Sequence, residues 1–355
     1  MTLGCLMVDV TGRSLLPEDR DVLEHPLVGG VILFTRNYQD PDQLAALIAE
    51  IRALRTPPLL IACDHEGGRV QRFRPGFTVI PAMRQIGREY EMDHARGRQL
   101  ARDAGWLLGA ELRSVGVDLA FAPVVDLEYG VSEVIGDRAF HADAATVSLL
   151  AGALMAGMRE AGMSATAKHF PGHGAVVADS HVALPVDRRE YVDLEADLTP
   201  YRRLIANGLP SVMMGHVVYP AVDELPASLS RRWVTDILRG DFDFQGAVFT
   251  DDLSMAGAAA FGGVVERARL AIAAGCDMLL VCNARRAVQE LLERLDVRPG
   301  PVAALRVARL HGHRQPADAA DRATLLASER WQSASSALAR CRDARPELRL
   351  DGMAS

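Results

Sequence analysis

Eight short apolar or β-branched runs alternate with longer stretches of helical periodicity along most of this 355-residue chain. The runs cover residues 3–10, 30–35, 59–64, 117–123, 164–169, 210–216, 246–251 and 276–283. Between them, the stretches 41–54, 95–115, 144–161, 194–207 and 264–274 repeat apolar residues near a 3.6-residue period. A strand followed by a helix, eight times over, is the pattern of a parallel sheet closed on itself. The chain is therefore expected to be an α/β protein with a (β/α)8 TIM-type barrel. Gly116, Gly162, Gly208 and Gly275 each separate a helical run from the next strand, where a helix-stop glycine belongs. Gly105 and Gly109 fall inside a helical run and have to be tolerated there. After about Pro299 only helical segments (302–314 and 322–344) and a polar tail follow. This divides the chain into a catalytic barrel at residues 1–298 and a C-terminal helical extension at 299–355, with no second catalytic domain.

Composition narrows the function classes. Hydrophobic residues at 49% and charged residues at 24% suit a chain that buries a large core. A formal net charge of −7 with no long basic run argues against nucleic acid or an anionic membrane surface as partner. The first residues lack a positive leader, Asp9 interrupts their apolar stretch, and no window reaches the roughly 18 apolar residues that span a bilayer. The five cysteines, Cys5, Cys63, Cys276, Cys282 and Cys341, are odd in number and lack metal-type spacing. They read as reduced thiols of a cytoplasmic protein. Cys276 and Cys282, an even number of residues apart, are expected on one face of the last strand.

The chemistry collects where barrel enzymes place it. Asp64, Asp126, Lys168, His169, His216, Asp251, Asp252 and Asn283 all fall at or just past the C-terminal ends of expected strands. The densest segment is Lys168-His169-Phe170-Pro171-Gly172-His173-Gly174, followed shortly by Asp179-Ser180-His181. Asp179 can hold one imidazole nitrogen of His181 and leave the other for proton transfer. Of the adjacent acids Asp251 and Asp252, one can face the barrel mouth. Asp251 takes the chemical role, suited to attack on an electrophilic carbon, and Asp252 the helix N-cap. Glu66, Arg69 and Asp137 read equally as a structural ion-pair network or as substrate contacts, and the role of His173 stays open. His169 and His173 are separated by a Pro-Gly break, and Arg69 occupies the second ligand position of an H-E-x-x-H pattern begun at His65, so a metal-dependent hydrolase is disfavoured. No metal and no cofactor is expected.

Asp64 to Phe73, Val134 to Phe140, Lys168 to Gly174, Asp179-Ser180-His181, Met214 to Pro220 and Thr250 to Met255 together resemble glycoside hydrolase family 3, within it the single-domain β-N-acetylglucosaminidases of bacterial cell-wall recycling. The resemblance spans roughly the first 285 residues. It implies a retaining exo-hydrolase of non-reducing terminal β-linked N-acetylglucosamine, with Asp251 as nucleophile and His181, supported by Asp179, as general acid/base. Asp64, Arg72, Arg138, Lys168, His169 and His216 would bind the sugar. The expected partner is a small saccharide of the muropeptide type, met by a monomer. Because a neutral histidine does not repel anions, phosphorolysis stands as the alternative to hydrolysis.

Overall fold

In the computed structural model of the chain, residues 3–177, 184–312 and 321–343 are described. Eight strands, β1 (Leu6–Val8), β2 (Val28–Leu33), β3 (Leu60–Cys63), β4 (Leu119–Ala120), β5 (Ser164–Phe170), β6 (Ser211–Met214), β7 (Ala247–Thr250) and β8 (Leu279–Val281), form one parallel sheet. Their order in space is β7-β6-β5-β4-β3-β2-β1-β8, and a parallel bridge from Phe249 to Met278 joins the two edges. The sheet is a (β/α)8 barrel, and each of the eight expected runs supplies one strand.

Strand parity separates two cores. Met7, Ile32, Leu60, Ala62, Phe121, Met213, Phe249 and Leu280 fill the barrel interior. Alternate residues such as Leu6, Val31, Ile61, Val212, Val248 and Leu279 pack outward beneath the helices. Because side chains in a strand repeat every two residues, the inward series Leu60, Ala62 continues to Asp64 and the series Ala247, Phe249 continues to Asp251. The same count carries the buried Thr166 to Lys168. The polar mouth is thus the upper end of the interior's own register.

One parity expectation fails. Cys276 packs in the outer core and Cys282 in the inner one. The backbone N–H groups of Asp277 and Met278 both donate to the Val248 carbonyl, at 2.8 and 3.1 Å, so a bulge there shifts the register by one residue. All five cysteines are free and buried.

The helices His94–Ser114 and Ala144–Glu160 explain the glycines that interrupt them. A Cβ on Gly105 would lie 2.0 Å from the Leu154 carbonyl oxygen, and one on Gly157 would lie 2.0 Å from that of Arg102. The missing side chains let the two backbones approach each other directly. Gly116, Gly162, Gly208 and Gly275, the expected helix stops, all adopt positive φ.

Beyond the last strand, the chain packs back onto the barrel. Helix Pro301–Ala308 and the residues just after it bring Val307 and Leu310 into the interior cluster that also holds Leu3 and Met7. The expected helix 322–344 is instead two, Arg322–Ala327 and Glu329–Asp343. Ser328 is extended between them, and its hydroxyl accepts from Trp331 N at 3.2 Å, which starts the second helix anew. The Trp331 indole donates to Glu111 at 2.7 Å, and Leu338 and Cys341 are buried in the outer core. No helix among the described residues is long and apolar enough to cross a membrane.

Two glycines of one helix give opposite expectations. Gly157→Ala, with no room for its methyl, should destabilise the protein by about 1–3 kcal/mol. Gly152→Ala, whose Cβ would meet nothing closer than Leu204 at 3.7 Å, should be neutral or more stable, by up to about 1 kcal/mol from helix propensity. Urea midpoints of the two variants measure this, and equal midpoints would remove the close-approach explanation.

Candidate active site

A cavity of about 690 Å³ opens at the C-terminal end of the barrel, with Ile32, Met213 and Leu280 from the interior among its lining residues. Its charged lining comes from four strand ends and two loops. β3 runs into Asp64 and then into a hairpin, His65–Gly67 paired with Val70–Gln71, that turns through Gly67 and Gly68. The 3₁₀ turn Gly136–Arg138 lies across from it, and β5 delivers Lys168 and His169.

These groups form one continuous network. The Lys168 ammonium donates to Asp64 Oδ1 at 2.9 Å and lies 2.6 Å from Glu66 Oε1. Arg72 donates to the other Asp64 oxygen at 2.9 Å. Arg138 grips Glu66 through Nε at 2.7 Å and a terminal nitrogen at 2.8 Å, the planar fork matching the carboxylate. Burial alone would raise the Asp64 carboxyl, but Lys168 and Arg72 outweigh it and hold the acid well below the usual carboxylate range. Glu66 follows the same balance, burial opposed by Arg138 and Lys168, and is held low. Burial would also discharge Lys168, and Asp64 and Glu66 reverse that, leaving it above the ordinary lysine value.

On the next wall, Asp126 serves both histidines of the Lys168–Gly174 segment. Its Oδ2 lies 2.7 Å from His169 Nδ1, and its Oδ1 accepts the His173 backbone N–H at 2.8 Å. The second histidine is different: the His173 ring lines the cavity, is buried, and has no hydrogen-bond partner on either nitrogen among the described residues. Burial, with His169 adding to it, lowers its pKa and keeps it neutral.

The two acids after β7 stand in different surroundings. Asp251 lines the cavity, and its Oδ1 accepts the Asp252 backbone N–H at 2.8 Å. Burial pushes its pKa up, yet His216, His169, the backbone donor and Lys168 together bring it below the normal carboxylate value. Asp252 was expected to cap a helix, and the structure corrects this. Its carboxylate accepts from Ser254 N (2.9 Å), Ser254 Oγ (2.8 Å) and Cys282 N (3.1 Å), closing a turn and tying it to β8. The short helix Ala256–Ala259 begins later, after Met255. Burial lifts Asp252 to about 6.

Asp64, Arg72, Arg138, Lys168, His169 and Asp251 are therefore brought to one cavity, as the sequence predicts. His216 is the correction. Fully buried, it holds Ser228 Oγ at 2.6 Å and the Asp252 carbonyl at 2.9 Å, so both ring nitrogens are engaged by protein and it supports the Asp251–Asp252 turn from behind. Asp179 and His181 lie outside the described residues. Arg69 is half-exposed and lines the cavity, 3.5 Å from Asp137 and bonded to the Glu133 and Val134 carbonyls, whereas Glu66 is buried at the centre of the network. Two residues that the sequence left unassigned thus organise the site. Asp126 had a signal in its strand-end position, and Glu66 had one in standing two residues after Asp64, on the same side of an extended chain. Among the described residues, no three His, Cys, Asp or Glu side chains form a set able to hold a metal ion.

Comparison with known proteins adds to this geometry. Residues 6–310 match the glycosyl hydrolase family 3 N terminal domain. The chain is 57% identical over 336 residues to the beta-hexosaminidase of Thiobacillus denitrificans, covering 94% of this chain and 93% of that one. It is 52% identical over 351 residues to the beta-hexosaminidase of Thioalkalivibrio sulfidiphilus, with coverage of 99% and 100%. The crystal structure of NagZ from Neisseria gonorrhoeae in complex with N-trifluoroacetyl-D-glucosamine is similar at a TM-score of 0.91 and 42% identity, over 97% of this chain and 99% of that one.

The buried network should make stability depend on pH in a defined sense. Asp64 and Glu66 have folded pKa values below their ordinary values of 3.8 and 4.5, so their contribution is full above that range, declines as pH falls below it and is gone only once pH has passed the lower folded values. Glu66→Gln strands Lys168 and Arg138 and should cost about 3 kcal/mol at pH 7. Because wild-type Glu66 protonates in acid, the gap should shrink below about pH 4. Urea titrations from pH 7 to pH 3 measure it, and a gap that stays constant would contradict the pairing.

Proposed function

The chain belongs to glycosyl hydrolase family 3, and we propose that it is a retaining exo-β-N-acetylglucosaminidase acting through a glycosyl-aspartate ester. The observation that carries the reading is the environment of Asp251: a half-buried carboxylate held below the ordinary value by His216, His169, a backbone N–H and Lys168, at the wall of a cavity lined by forked donors. Among the described residues Asp251 has no salt-bridge partner of its own, which leaves the ionised acid free to attack carbon.

In this reading the bond changes are as follows. Asp251 attacks the anomeric carbon as the bond to the leaving oxygen breaks, and His181 gives that oxygen its proton. Water then attacks the same carbon, His181 takes its proton, and Asp251 departs as carboxylate, so two inversions give net retention. Asp179 orients the imidazole for both transfers. Asp64, Arg72, Arg138, Lys168 and His169 hold the sugar hydroxyls in this reading, since each lines the cavity while its geometry is fixed by hydrogen bonds to its neighbours.

Support for N-acetylglucosamine as the sugar comes from the hexosaminidase names of the relatives and from the N-trifluoroacetyl-D-glucosamine complex of the Neisseria protein. Fragments of the muropeptide type are the natural substrates in this reading, processed in the cytoplasm by a monomer without metal or cofactor. The aglycone follows from resemblance to the recycling enzymes.

The purified protein should release p-nitrophenol from the β-N-acetylglucosaminide far faster than from the matching β-glucoside. Inorganic phosphate should leave the product as free sugar. Sugar 1-phosphate formed in its place would move the enzyme to phosphorolysis, and equal rates on both glycosides would defeat the substrate assignment. Asp251→Asn should lower kcat at least about 10³-fold, through loss of both nucleophile and charge, and Asp252→Asn should do less.

A further inference from the structure

Two stretches of backbone flank Asp179-Ser180-His181 in the sequence, and one buried carboxylate braces both. On the upstream side, Gly172 lies against Asp197: a Cβ added to Gly172 would sit 2.9 Å from both the Asp197 Cβ and its Oδ1. The Tyr219 hydroxyl donates to the Gly172 carbonyl. Two residues on, a Cβ on Gly174 would fall 1.9 Å from the Leu127 carbonyl oxygen and 3.2 Å from the Tyr129 ring. The downstream side is stitched to the chain after β6. Val218 N donates to the Pro185 carbonyl at 3.0 Å, and Asp187 N donates to the Val218 carbonyl at 2.9 Å. Arg189 then clasps the Asp187 carboxylate, with contacts down to 2.6 Å.

Asp197 joins the two sides. It stands in the first turn of helix Glu195–Ala206 and is 2% exposed. Its Oδ2 accepts from the Tyr129 hydroxyl and from an Arg189 terminal nitrogen, each at 2.9 Å, and the Arg189 guanidinium covers the Tyr129 ring at 5.3 Å. None of these three residues lines the catalytic cavity. We propose that Asp197, with Arg189 and Tyr129, is a positioning unit that fixes the backbone on both sides of Asp179-Ser180-His181, and that the proton transfer assigned to His181 depends on it. This rests on the assignment of proton transfer to His181. General acid catalysis requires hydrogen-bond reach to the leaving oxygen, so a shift in these attachments weakens protonation while the sugar contacts on β3 and β5 stay in place.

The test compares kcat/KM across N-acetylglucosaminides with leaving groups of graded basicity for wild type, Arg189→Ala, Arg189→Lys, Tyr129→Phe, Asp197→Asn and His181→Ala, with melting temperatures alongside. Arg189→Ala and Asp197→Asn should lose about 10- to 100-fold on basic leaving groups and less than about threefold on dinitrophenol, in the direction of His181→Ala. KM for the activated substrate should be unchanged. Arg189→Lys should recover part of the loss, because it restores the charge without the fork. Arg189 and Tyr129 are partly exposed, so their variants keep the test readable if Asp197→Asn does not fold. A uniform loss on every leaving group, or none, in folded variants while His181→Ala remains selective, overturns the positioning role. Equal loss on every leaving group in His181→Ala overturns the acid/base assignment, and the positioning role falls with it.

Discussion

An ammonium group taken out of water costs several kcal/mol unless carboxylates meet it, and the mouth of this barrel is arranged around that requirement. Lys168, carried inward by the two-residue period of β5, has its side chain almost wholly buried. Asp64 and Glu66 neutralise it from one neighbouring segment, and each of them then draws in an arginine, Arg72 or Arg138. Four anchor points in the chain are fixed by this one burial. A network satisfied in this way is stiff before any sugar arrives, and a preorganised wall loses little on binding.

The two adjacent acids after β7 show how environment assigns chemistry. Asp251 and Asp252 are both half-buried, and loss of water pushes both upward. His216, His169 and Lys168 surround Asp251 and return it below the normal value, whereas Asp252 faces backbone and hydroxyl donors and the charge of Asp251 itself, and settles near 6. Opposed shifts in neighbouring carboxylates separate the acid proposed as nucleophile from a structural one without any difference in residue type. His216 does its part at a distance, bracing the turn through Ser228 and the Asp252 carbonyl.

Much of this was legible in the sequence because it follows from periodicity. Strand number, barrel closure and the inward direction of Asp64, Lys168 and Asp251 all follow from counting by two along apolar runs. Counting fails where the backbone departs from regularity. The bulge at Asp277 and Met278 sends Cys276 to the other core, and the turn closed by Asp252 delays the helix that it was expected to cap. Partnership is harder still to read. Glu66 looks like any loop acid until Arg138, 72 residues away, is found on it, and Asp126 reveals its task only when His169 and His173 meet it from the next strand. Conversely, His216 has the residue type and strand-end position of a sugar ligand, and only its two hydrogen bonds show that it is already engaged.

The central claim is that Asp251 becomes covalently bonded to the sugar. Slow turnover of a 5-fluoro N-acetylglucosaminyl fluoride should trap that ester, and mass spectrometry of the digested protein would locate it. The account predicts one added sugar on the peptide containing Thr250 to Met255, with fragmentation placing it on Asp251. A label on Asp252, or inactivation with no label anywhere on that peptide, would contradict it.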